Sequence, residues 1–338
     1  MSGYEHGGRC NSDIRLDFSI NINPLGIAPG IMQAMKEAIS EADRYPDPSC
    51  GRLKAMLAKK EMTGTQNIII GNGASELIMA LTHAYRPRRI LLVAPGFYGY
   101  EHAAMACGAK VAYHYLREDD GFALAEAFTR DITDDTDMIF ITNPGNPGGR
   151  LIDIKVLDAI YDRAMETGAK LIIDECFLEF TDAKSYDREN VYRLKAFTKY
   201  YALPGIRLGY LLCPEGESEK IEAQLPEWNV SVVAQRAGEA ALLESDFYKT
   251  TCEYIRSQRE FMTDSLRNLD IKVFDSDANF ILFKTDDDRL KEKLITHGIL
   301  IRDCSNYHGL GRGYYRAAVR TEKENTELVK ALRSIYEL

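Results

Sequence analysis

The 338-residue sequence has no long apolar run and no excess of positive charge. No stretch approaches the roughly 18 consecutive apolar residues that a transmembrane helix needs, which argues against a membrane partner. The N-terminal residues lack the apolar core of a signal peptide, so we expect a cytoplasmic protein. A formal net charge of −9 argues against binding to nucleic acid, which would select a basic surface.

Paired cysteines and clustered metal ligands are missing as well. The seven cysteines form no CxxC pair, and their odd number is typical of reduced thiols. The six histidines are scattered, without an HExxH motif or a Cys/His cluster, so the sequence predicts no metal site. Hydrophobic residues make up 45% of the chain, which is long enough to bury a substantial core and is typical of a globular protein.

Short apolar runs rich in β-branched residues alternate with helical segments in the first two thirds of the chain. The runs lie at residues 67–71, 89–95, 110–115, 137–144, 170–175 and 207–213. Runs that are apolar on both faces and separated by amphipathic helices are typical of a buried, mostly parallel sheet. The sequence therefore predicts an α/β fold, with a ligand crevice at the carboxyl ends of the strands.

The pattern changes after residue 215, where a long helical stretch at 232–269 precedes several short strands. Residues 271–284 have the pattern of two strands, and residues 298–303 and 314–320 that of one strand each. A helical pattern then ends the chain. This C-terminal part is predicted to be a smaller α+β unit.

We predict three units along the chain. An N-terminal arm at 1–30 contains the strand-like segment 13–23 and is expected to pack on the small domain. A large domain spans 31–225, and the small domain spans 226–338.

The segment GNGASELI, residues 71–78, follows one predicted strand and opens a helix. Backbone N–H groups of Gly73, Ala74 and Ser75 at such a helix start can form a phosphate cradle. A plain glycine-rich turn with Ser75 as the helix cap fits the same residues. The segment half-resembles the dinucleotide-binding fingerprint, but Glu76 occupies the third glycine position, which weakens that interpretation.

Two other polar positions follow predicted strands. The segment TNPGNPGG, residues 142–149, is either a plain loop or presents the Asn146 amide to a ligand. Asp174 ends the apolar run of IIDECF, where an unpaired carboxylate is costly to bury. A cation should therefore face Asp174, and either an internal ion pair or a ligand would satisfy it.

The segment KAFTKYYALPGIRLGY, residues 195–210, places Lys199 and Arg207 on either side of a Pro-Gly turn. Judged singly, each is an ordinary surface charge. Arg207 precedes an apolar strand, however, which is a poor place for a solvated guanidinium and a good one for a phosphate ligand. A phosphate cradle, a carboxylate, an amide, an arginine and a lysine together are the groups that pyridoxal phosphate needs.

In these motifs the sequence resembles the fold-type I pyridoxal-phosphate enzymes of the aspartate-aminotransferase superfamily, over nearly the whole chain. The resemblance implies a three-layer α/β sandwich and a homodimer with shared active sites. It implies that Lys199 forms a Schiff base with the cofactor and that Arg207 binds the cofactor phosphate. It also pairs Asp174 with the pyridinium nitrogen and Asn146 with the phenolate oxygen.

The same resemblance implies roles for three residues elsewhere in the chain. Phe97 in APGFYGY would stack on the pyridine ring. Tyr45 in RYPDP would reach the cofactor phosphate of the neighbouring subunit. Arg316 in YYRAAVR would bind the substrate carboxylate.

Two positions depart from the family pattern. Ala196 stands where a phosphate-binding serine is usual, so that hydrogen bond is either lost or taken by Thr198. Phe177 stands where many aminotransferases have a tyrosine that donates to the phenolate. Loss of that donor should change the proton affinity of the cofactor linkage.

Two branches of the superfamily share the motifs. Histidinol-phosphate aminotransferases share the NxNP, RYPDP and RLGY segments. L-Threonine-O-3-phosphate decarboxylases of cobalamin biosynthesis share these and also resemble EHGG, DFSININPLG, PEWNVS and IRDCSNYHGLGRGYYRAAVRT. We therefore favour decarboxylation of L-threonine O-3-phosphate to (R)-1-amino-2-propanol phosphate, with the aminotransferase as the alternative.

The phosphate of a phosphorylated amino acid needs positively charged side chains or N–H donors to bind it. The candidates for binding the substrate are His6, Gly7, Gly8, Asn23, Arg302 and Arg316. Arginine forks suit phosphate geometry, and the amides of a Gly-Gly turn can form an anion nest. The same residues also fit a structure without this pocket, in which His6 belongs to an untethered N-terminus and Arg302 forms an ion pair with Asp303.

Two other classes of protein fit less well. A nicotinamide-dependent dehydrogenase would need the third glycine and an acidic residue at the end of the strand RILLVAP, and neither is there. A non-catalytic regulator that binds pyridoxal phosphate would need an appended DNA-binding module, for which we expect no room.

Overall fold

The structure is a computed structural model that describes residues 7–8 and 13–336. The helices are α1 (Pro29–Ala38), α2 (Gly51–Glu61), α3 (Ala74–Tyr85), α4 (Tyr98–Ala106), α5 (Ile154–Thr167), α6 (Ser218–Glu222), α7 (Val232–Ala241), α8 (Ser245–Tyr248), α9 (Thr251–Arg267), α10 (Leu290–Thr296) and α11 (Glu322–Tyr336). The strands are β1 (Leu16–Asp17), β2 (Ile68–Gly71), β3 (Arg89–Ala94), β4 (Lys110–Tyr115), β5 (Met138–Thr142), β6 (Lys170–Asp174), β7 (Val191–Ala196), β8 (Gly209–Leu212), β9 (Lys272–Val273), β10 (Phe280–Lys284), β11 (Ile299–Leu300), β12 (Arg302–Asp303) and β13 (Tyr314–Ala318). None of these helices is both long and apolar enough to cross a membrane.

Seven strands form the central sheet, in the order β2-β8-β7-β6-β5-β3-β4. Five of these strands, from β7 to β4, pair in parallel, whereas β8 runs antiparallel between β2 and β7. The predicted mostly parallel α/β sheet is therefore confirmed. Strand β7 was not predicted, because Arg193 and Lys195 interrupt its apolar pattern.

Helices cover both faces of the central sheet. Met138 and Phe140 of β5 pack on the side of α3, α4 and α6, while Ile139 and Ile141 pack against α5 on the other side. Because successive residues of a strand face opposite sides, each strand contributes to both layers of the core. Helices α1, α2 and α7 cover β2 and β8 on the α5 side. This arrangement is the expected three-layer sandwich.

A second, antiparallel sheet has the order β12-β13-β10-β9. Helices α9, α10 and α11 contribute apolar side chains to its core. Strand β1 of the N-terminal segment pairs in parallel with β11. The carbonyl of Phe18 also accepts a hydrogen bond from the N–H of Ala318 at 2.8 Å. Residues 16–18 of the arm therefore lie against the C-terminal unit, whereas Ala28 packs in the core formed with α2 and α7.

Packing changes later along the chain than the predicted boundary at residue 225. The long helical stretch at 232–269 is divided into α7, α8 and α9. Helix α7 packs with α1 and α2 in the core of the central sheet, whereas α9 packs with the second sheet. Gly238 lets α7 pack closely against Leu208, which directly precedes β8. A Cβ on Gly238 would lie 2.5 Å from Leu208 Cδ2. We propose that the domain boundary lies between α7 and α9.

A charged cluster joins the two sheets near the 3-10 helix Glu118–Asp120, which follows β4. The Glu118 carboxylate accepts hydrogen bonds from Lys272 Nζ at 2.7 Å, from Lys284 Nζ at 3.0 Å and from the Tyr314 hydroxyl. The bonds from Lys272 and Tyr314 lower the pKa of Glu118 to about 2. The cluster therefore connects the large unit to three positions on the small one.

Replacing Glu118 by glutamine should lower the free energy of unfolding by on the order of 1 kcal/mol at neutral pH, because water screens this partly exposed group. The pKa in the folded state lies below the ordinary value of 4.5. The advantage of the wild type is therefore complete above pH 4.5 and shrinks as the pH falls toward 2. Urea unfolding of the wild type and the variant between neutral pH and pH 2 measures this difference in free energy, and replacement of the exposed Glu126 by glutamine is the control. A difference that stays constant down to pH 2 would contradict the assignment.

Candidate active site

The polar residues at the strand ends meet at one edge of the central sheet. Strands β2, β5, β6 and β7 end at this edge, and antiparallel β8 begins there, which brings Arg207 to the same place. The surrounding loops enclose a cavity of about 290 Å³. The cavity is lined by these predicted residues: Gly7, Ala74, Ser75, Phe97, Asn146, Asp174, Thr198, Lys199, Arg207, Arg302 and Arg316.

One end of the cavity is formed by the start of α3. Gly73 precedes the helix with a φ of 82°, so Ser75 lies within the first turn and is not the cap. A Cβ on Gly73 would lie 2.5 Å from Arg207 Nη2, which shows that the guanidinium packs directly against the helix start. The first N–H groups of a helix have no acceptor within it. The N–H groups and the guanidinium together can hold a phosphate.

Asp174 is buried at the floor of the cavity, with 6% of its surface exposed. The Tyr100 hydroxyl donates to Oδ2 at 2.6 Å, and the Cys176 N–H donates to Oδ1 at 2.9 Å. Burial raises the pKa of Asp174, while these donors and the nearby Lys199 ammonium act in the opposite direction. Within residues 13–336 no lysine or arginine forms an ion pair with it, so its acceptor capacity is available to a ligand.

The two lysines of KAFTK have opposite electrostatic surroundings. Burial lowers the pKa of Lys199 to about 8, and the charge of Arg316 acts in the same direction. Lys195 instead lies 2.7 Å from Glu61 and 3.6 Å from Glu175 and is held in ion pairs with both carboxylates. A lysine nucleophile must be a neutral amine when it attacks a carbonyl. Lys199 is therefore much better suited to this chemistry than Lys195.

Two buried arginines of the second sheet also line the cavity. Arg302 of β12 and Arg316 of β13 are partners in the strand register and are 7% and 6% exposed. Arg316 donates to the carbonyl of Ser19 at 2.9 Å and to Asn146 Oδ1. Arg302 donates to Asn306 Oδ1 at 2.8 Å and to a backbone carbonyl, not to the Asp303 carboxylate. Both guanidiniums are thus oriented by neutral groups and keep their charge for a ligand.

The structure does not place Asn23 in the cavity. Its side-chain N–H group donates to the carbonyl of Tyr200 at 2.8 Å, and its Oδ1 accepts from the N–H of Leu25. The predicted contact of Asn23 with substrate is therefore not supported. Asn21 lines the cavity instead, although no motif in the sequence singled it out. Residues two apart share a face in an extended chain, so the NINP segment alone could not separate the two.

Two described N-terminal residues, Gly7 and Gly8, lie beside Ser19. Gly7 lines the cavity, and a Cβ on it would lie 2.4 Å from the Ser19 carbonyl oxygen. The Gly8 N–H donates to Ser19 Oγ at 2.7 Å, so it is occupied internally and does not extend an anion nest into the cavity. His6 lies outside the described residues, and its role stays a prediction.

The remaining predicted positions divide between the cavity and the surface. Phe177 lines the cavity, and its ring centre lies 6.0 Å from Lys199 Nζ. Ala196 is buried in β7, and Thr198 faces the cavity two residues later. Tyr45 is 81% exposed and lies outside the cavity, so its predicted role depends on a second subunit and stays a prediction.

Several residues of the cavity wall have buried polar atoms without a partner in the described part of the protein. Among the described residues, Asn21 Oδ1, Asn306 Nδ2 and Arg316 Nε are buried without a hydrogen-bond partner. Buried polar groups normally have partners, so these atoms indicate a polar ligand. The helix start with Arg207 suits its phosphate, and Asp174 suits a protonated ring nitrogen. The residues present therefore fit pyridoxal phosphate.

Comparison with known proteins agrees with this geometry. A family model described as aminotransferase class I and II matches residues 13–332. The chain is 35% identical to the threonine-phosphate decarboxylase of Salmonella typhimurium, covering 96% of this chain and 92% of that protein. It is 32% identical to the adenosylcobalamin biosynthesis bifunctional protein CobDQ of Leptospira interrogans, covering 98% of this chain and 41% of that longer protein.

A solved structure shares the fold closely. The histidinol-phosphate aminotransferase from Clostridium acetobutylicum superimposes with a TM-score of 0.89 at 31% sequence identity. The match covers 95% of this chain and 99% of that one. The likeness therefore extends over both sheets and not only over the site.

Replacing Lys199 by methionine should stabilise the apoprotein, because burial disfavours the ammonium. The folded-state pKa of about 8 lies below the ordinary 10.5, so this cost is complete below pH 8 and disappears as the pH rises toward 10.5. Since the cavity is partly open to water, we expect a gain on the order of 2 kcal/mol at pH 7. Denaturant unfolding of both apoproteins from pH 7 to 10.5 measures it. A gain that grows with pH would contradict this explanation.

Proposed function

Because the chain belongs to the class I and II aminotransferase family, we propose that it decarboxylates L-threonine O-3-phosphate to (R)-1-amino-2-propanol phosphate. Its cofactor is pyridoxal phosphate. The name of the Salmonella relative supports the reaction, and the name of the Leptospira relative supports a place in cobalamin biosynthesis. The substrate class is a phosphorylated amino acid.

The observation that carries the proposal is the pair of buried arginines, Arg302 and Arg316. Two buried positive charges on neighbouring strands are costly unless anions neutralise them. Threonine phosphate has two anionic groups, a carboxylate and a phosphate, whereas histidinol phosphate has only the phosphate. A substrate with both groups therefore provides an anionic partner for each arginine.

The cofactor would be held by residues at the sheet edge. The N–H groups of Ala74 and Ser75, with Arg207 and Thr198, would bind its phosphate. Phe97 would cover the ring. Asn146 would bind its phenolate oxygen, and Asp174 would bind its ring nitrogen. The chemistry that pyridoxal phosphate supplies when bound is an aldehyde that condenses with an amine and a protonated ring that withdraws electrons from the substrate α-carbon.

The chain's own side chains would control proton positions and substrate orientation. The buried Asp174 carboxylate would hold a proton on the ring nitrogen, and the Lys199 amine would accept or return a proton near the α-carbon. The orientation in which these residues hold the substrate would decide which bond at its α-carbon is weakened. Arg302 and Arg316, by holding the two anionic ends, would therefore select loss of the carboxylate as carbon dioxide.

We also propose a homodimer with shared active sites. The rings of Tyr45 and Trp228 contact each other in a tilted arrangement at a centroid distance of 4.8 Å and are 81% and 43% exposed. Ile39, which follows α1 directly, is 64% exposed. Exposed apolar and aromatic groups of this kind favour a subunit interface, across which Tyr45 would reach the neighbouring phosphate site.

A product panel tests the reaction. We expect the holoprotein to release carbon dioxide from threonine phosphate and to form little glutamate from histidinol phosphate and 2-oxoglutarate. The likeness to the Clostridium aminotransferase makes the second reaction the alternative outcome. Lys199→Ala should lose both turnover and the visible absorbance of the bound cofactor. Glutamate formation without carbon dioxide would overturn the proposal in favour of the aminotransferase.

Replacing Arg302 by glutamine should raise KM for threonine phosphate about 30-fold, because a charge-assisted hydrogen bond to phosphate is worth about 2 kcal/mol. The slow reaction with unphosphorylated threonine should change less than about threefold. Arg312→Gln is the matched control, since Arg312 is exposed and pairs with Asp288 outside the cavity. An equal loss with both substrates would remove Arg302 from the phosphate site.

A further inference from the structure

A buried ionic cluster lies beside the strands that carry the cofactor residues. We name Glu61, Glu175, Lys195 and Tyr210 the cross-strand cluster. Lys195 Nζ lies 2.7 Å from Glu61 Oε2 and 3.6 Å from Glu175 Oε2, and the Tyr210 hydroxyl donates to Glu61 Oε1 at 2.7 Å. The charged side chains of Glu61, Glu175 and Lys195 are 6%, 0% and 10% exposed. The cluster therefore joins the end of α2 to three adjacent positions of the sheet.

Each sheet member of the cluster is close in sequence to a residue of the site. Glu175 follows Asp174 directly, Lys195 precedes Lys199 by four residues, and Tyr210 follows Arg207 by three. Lys195 and Tyr210 are also cross-strand partners on β7 and β8. The N–H of Glu175 donates to the carbonyl of Leu194 at 2.8 Å, which joins β6 to β7 at the same level.

The cluster lies on the opposite side of the sheet from the floor of the cavity. Asp174 faces α4 through Tyr100, whereas Tyr210 packs in the core formed with α1, α2 and α7. Successive strand residues face opposite sides, so Glu175 faces α2 when Asp174 faces the cavity. The side chains of the cluster are thus separated from the cofactor site by the sheet itself.

A buried ionic cluster specifies geometry more than it adds stability. Well-packed apolar residues of similar volume stabilise a core about as well as a buried ion pair, but they allow neighbouring strands to slide relative to one another. Charged hydrogen bonds require particular distances and directions. Glu175 is further fixed by the N–H of Tyr186 at 2.9 Å and by the Ser185 hydroxyl. A shift of one strand relative to its neighbours would leave a buried charge without its partner.

We propose that the cross-strand cluster is a positioning device that aligns the ends of β6, β7 and β8. Through these strands it sets the relative placement of Asp174, Lys199 and Arg207. The inference rests on the pyridoxal-phosphate assignment, but it does not depend on which substrate reacts or which bond breaks.

Two variants test this role without using turnover. Glu61→Gln removes one charge, and the double variant Glu61→Gln with Lys195→Met keeps the net charge of the cluster at −1, since two carboxylates and one ammonium become one carboxylate. The measurements are the dissociation constant of pyridoxal phosphate from the refilled apoprotein and the visible circular dichroism of the bound cofactor. We expect cofactor binding at least tenfold weaker and an altered dichroic band in both.

Two further variants provide the comparison. Lys54→Met breaks an ion pair with Glu222 that also begins on α2 but does not involve the site strands, so binding and dichroism should stay as in the wild type. Lys195→Arg keeps the positive charge of the cluster and should retain most of the wild-type affinity for pyridoxal phosphate.

Cofactor binding within twofold of wild type and an unchanged dichroic band in both cluster variants would overturn the proposal, even if thermal stability fell. If Glu61→Gln does not fold, the charge-balanced double variant decides. Failure of the product panel would leave this result intact, so the two proposals are tested separately.

Discussion

Positive charges gathered in one partly buried cavity are the constraint on which the rest of this site depends. Burial lowers the pKa of Lys199 to about 8, and the nearby guanidiniums of Arg316 and Arg207 act in the same direction. The lowered pKa increases the fraction of neutral amine that can act as a base or nucleophile, and the two guanidiniums make the cavity attractive to anions. A protein with a net charge of −9 can therefore hold a strongly positive binding site.

The central sheet turns distant parts of the chain into one site. Parallel strands end at the same edge, so residues that follow β2, β5, β6 and β7 converge without any special contact between the loops. Antiparallel β8 contributes its beginning to that edge, and this brings Arg207 against the start of α3. The second sheet supplies Arg302 and Arg316 from the other side. The cavity is thus formed between an edge of the central sheet and the second sheet.

Buried charges are used in two different ways on the two sides of the sheet. In the cavity, the cations have mostly neutral partners and remain ready for a ligand. Behind the sheet, Lys195 is surrounded by Glu61 and Glu175 and is satisfied within the protein. This contrast explains why two lysines four residues apart in one segment have different surroundings. It also explains why β7, with its charged residues, did not have the apolar pattern of a buried strand.

Apolar periodicity and polar residues after strands are local properties, so the order of amino acids was enough to predict the α/β class, most of the strands and several residues that line the cavity. That order did not distinguish Asn21 from Asn23, because the difference depends on how the arm bends against the loop after β7. It also did not show that α7 and α9 join different cores, since the two helices have similar helical patterns. These two points became visible only in the folded chain, because they depend on which surfaces meet.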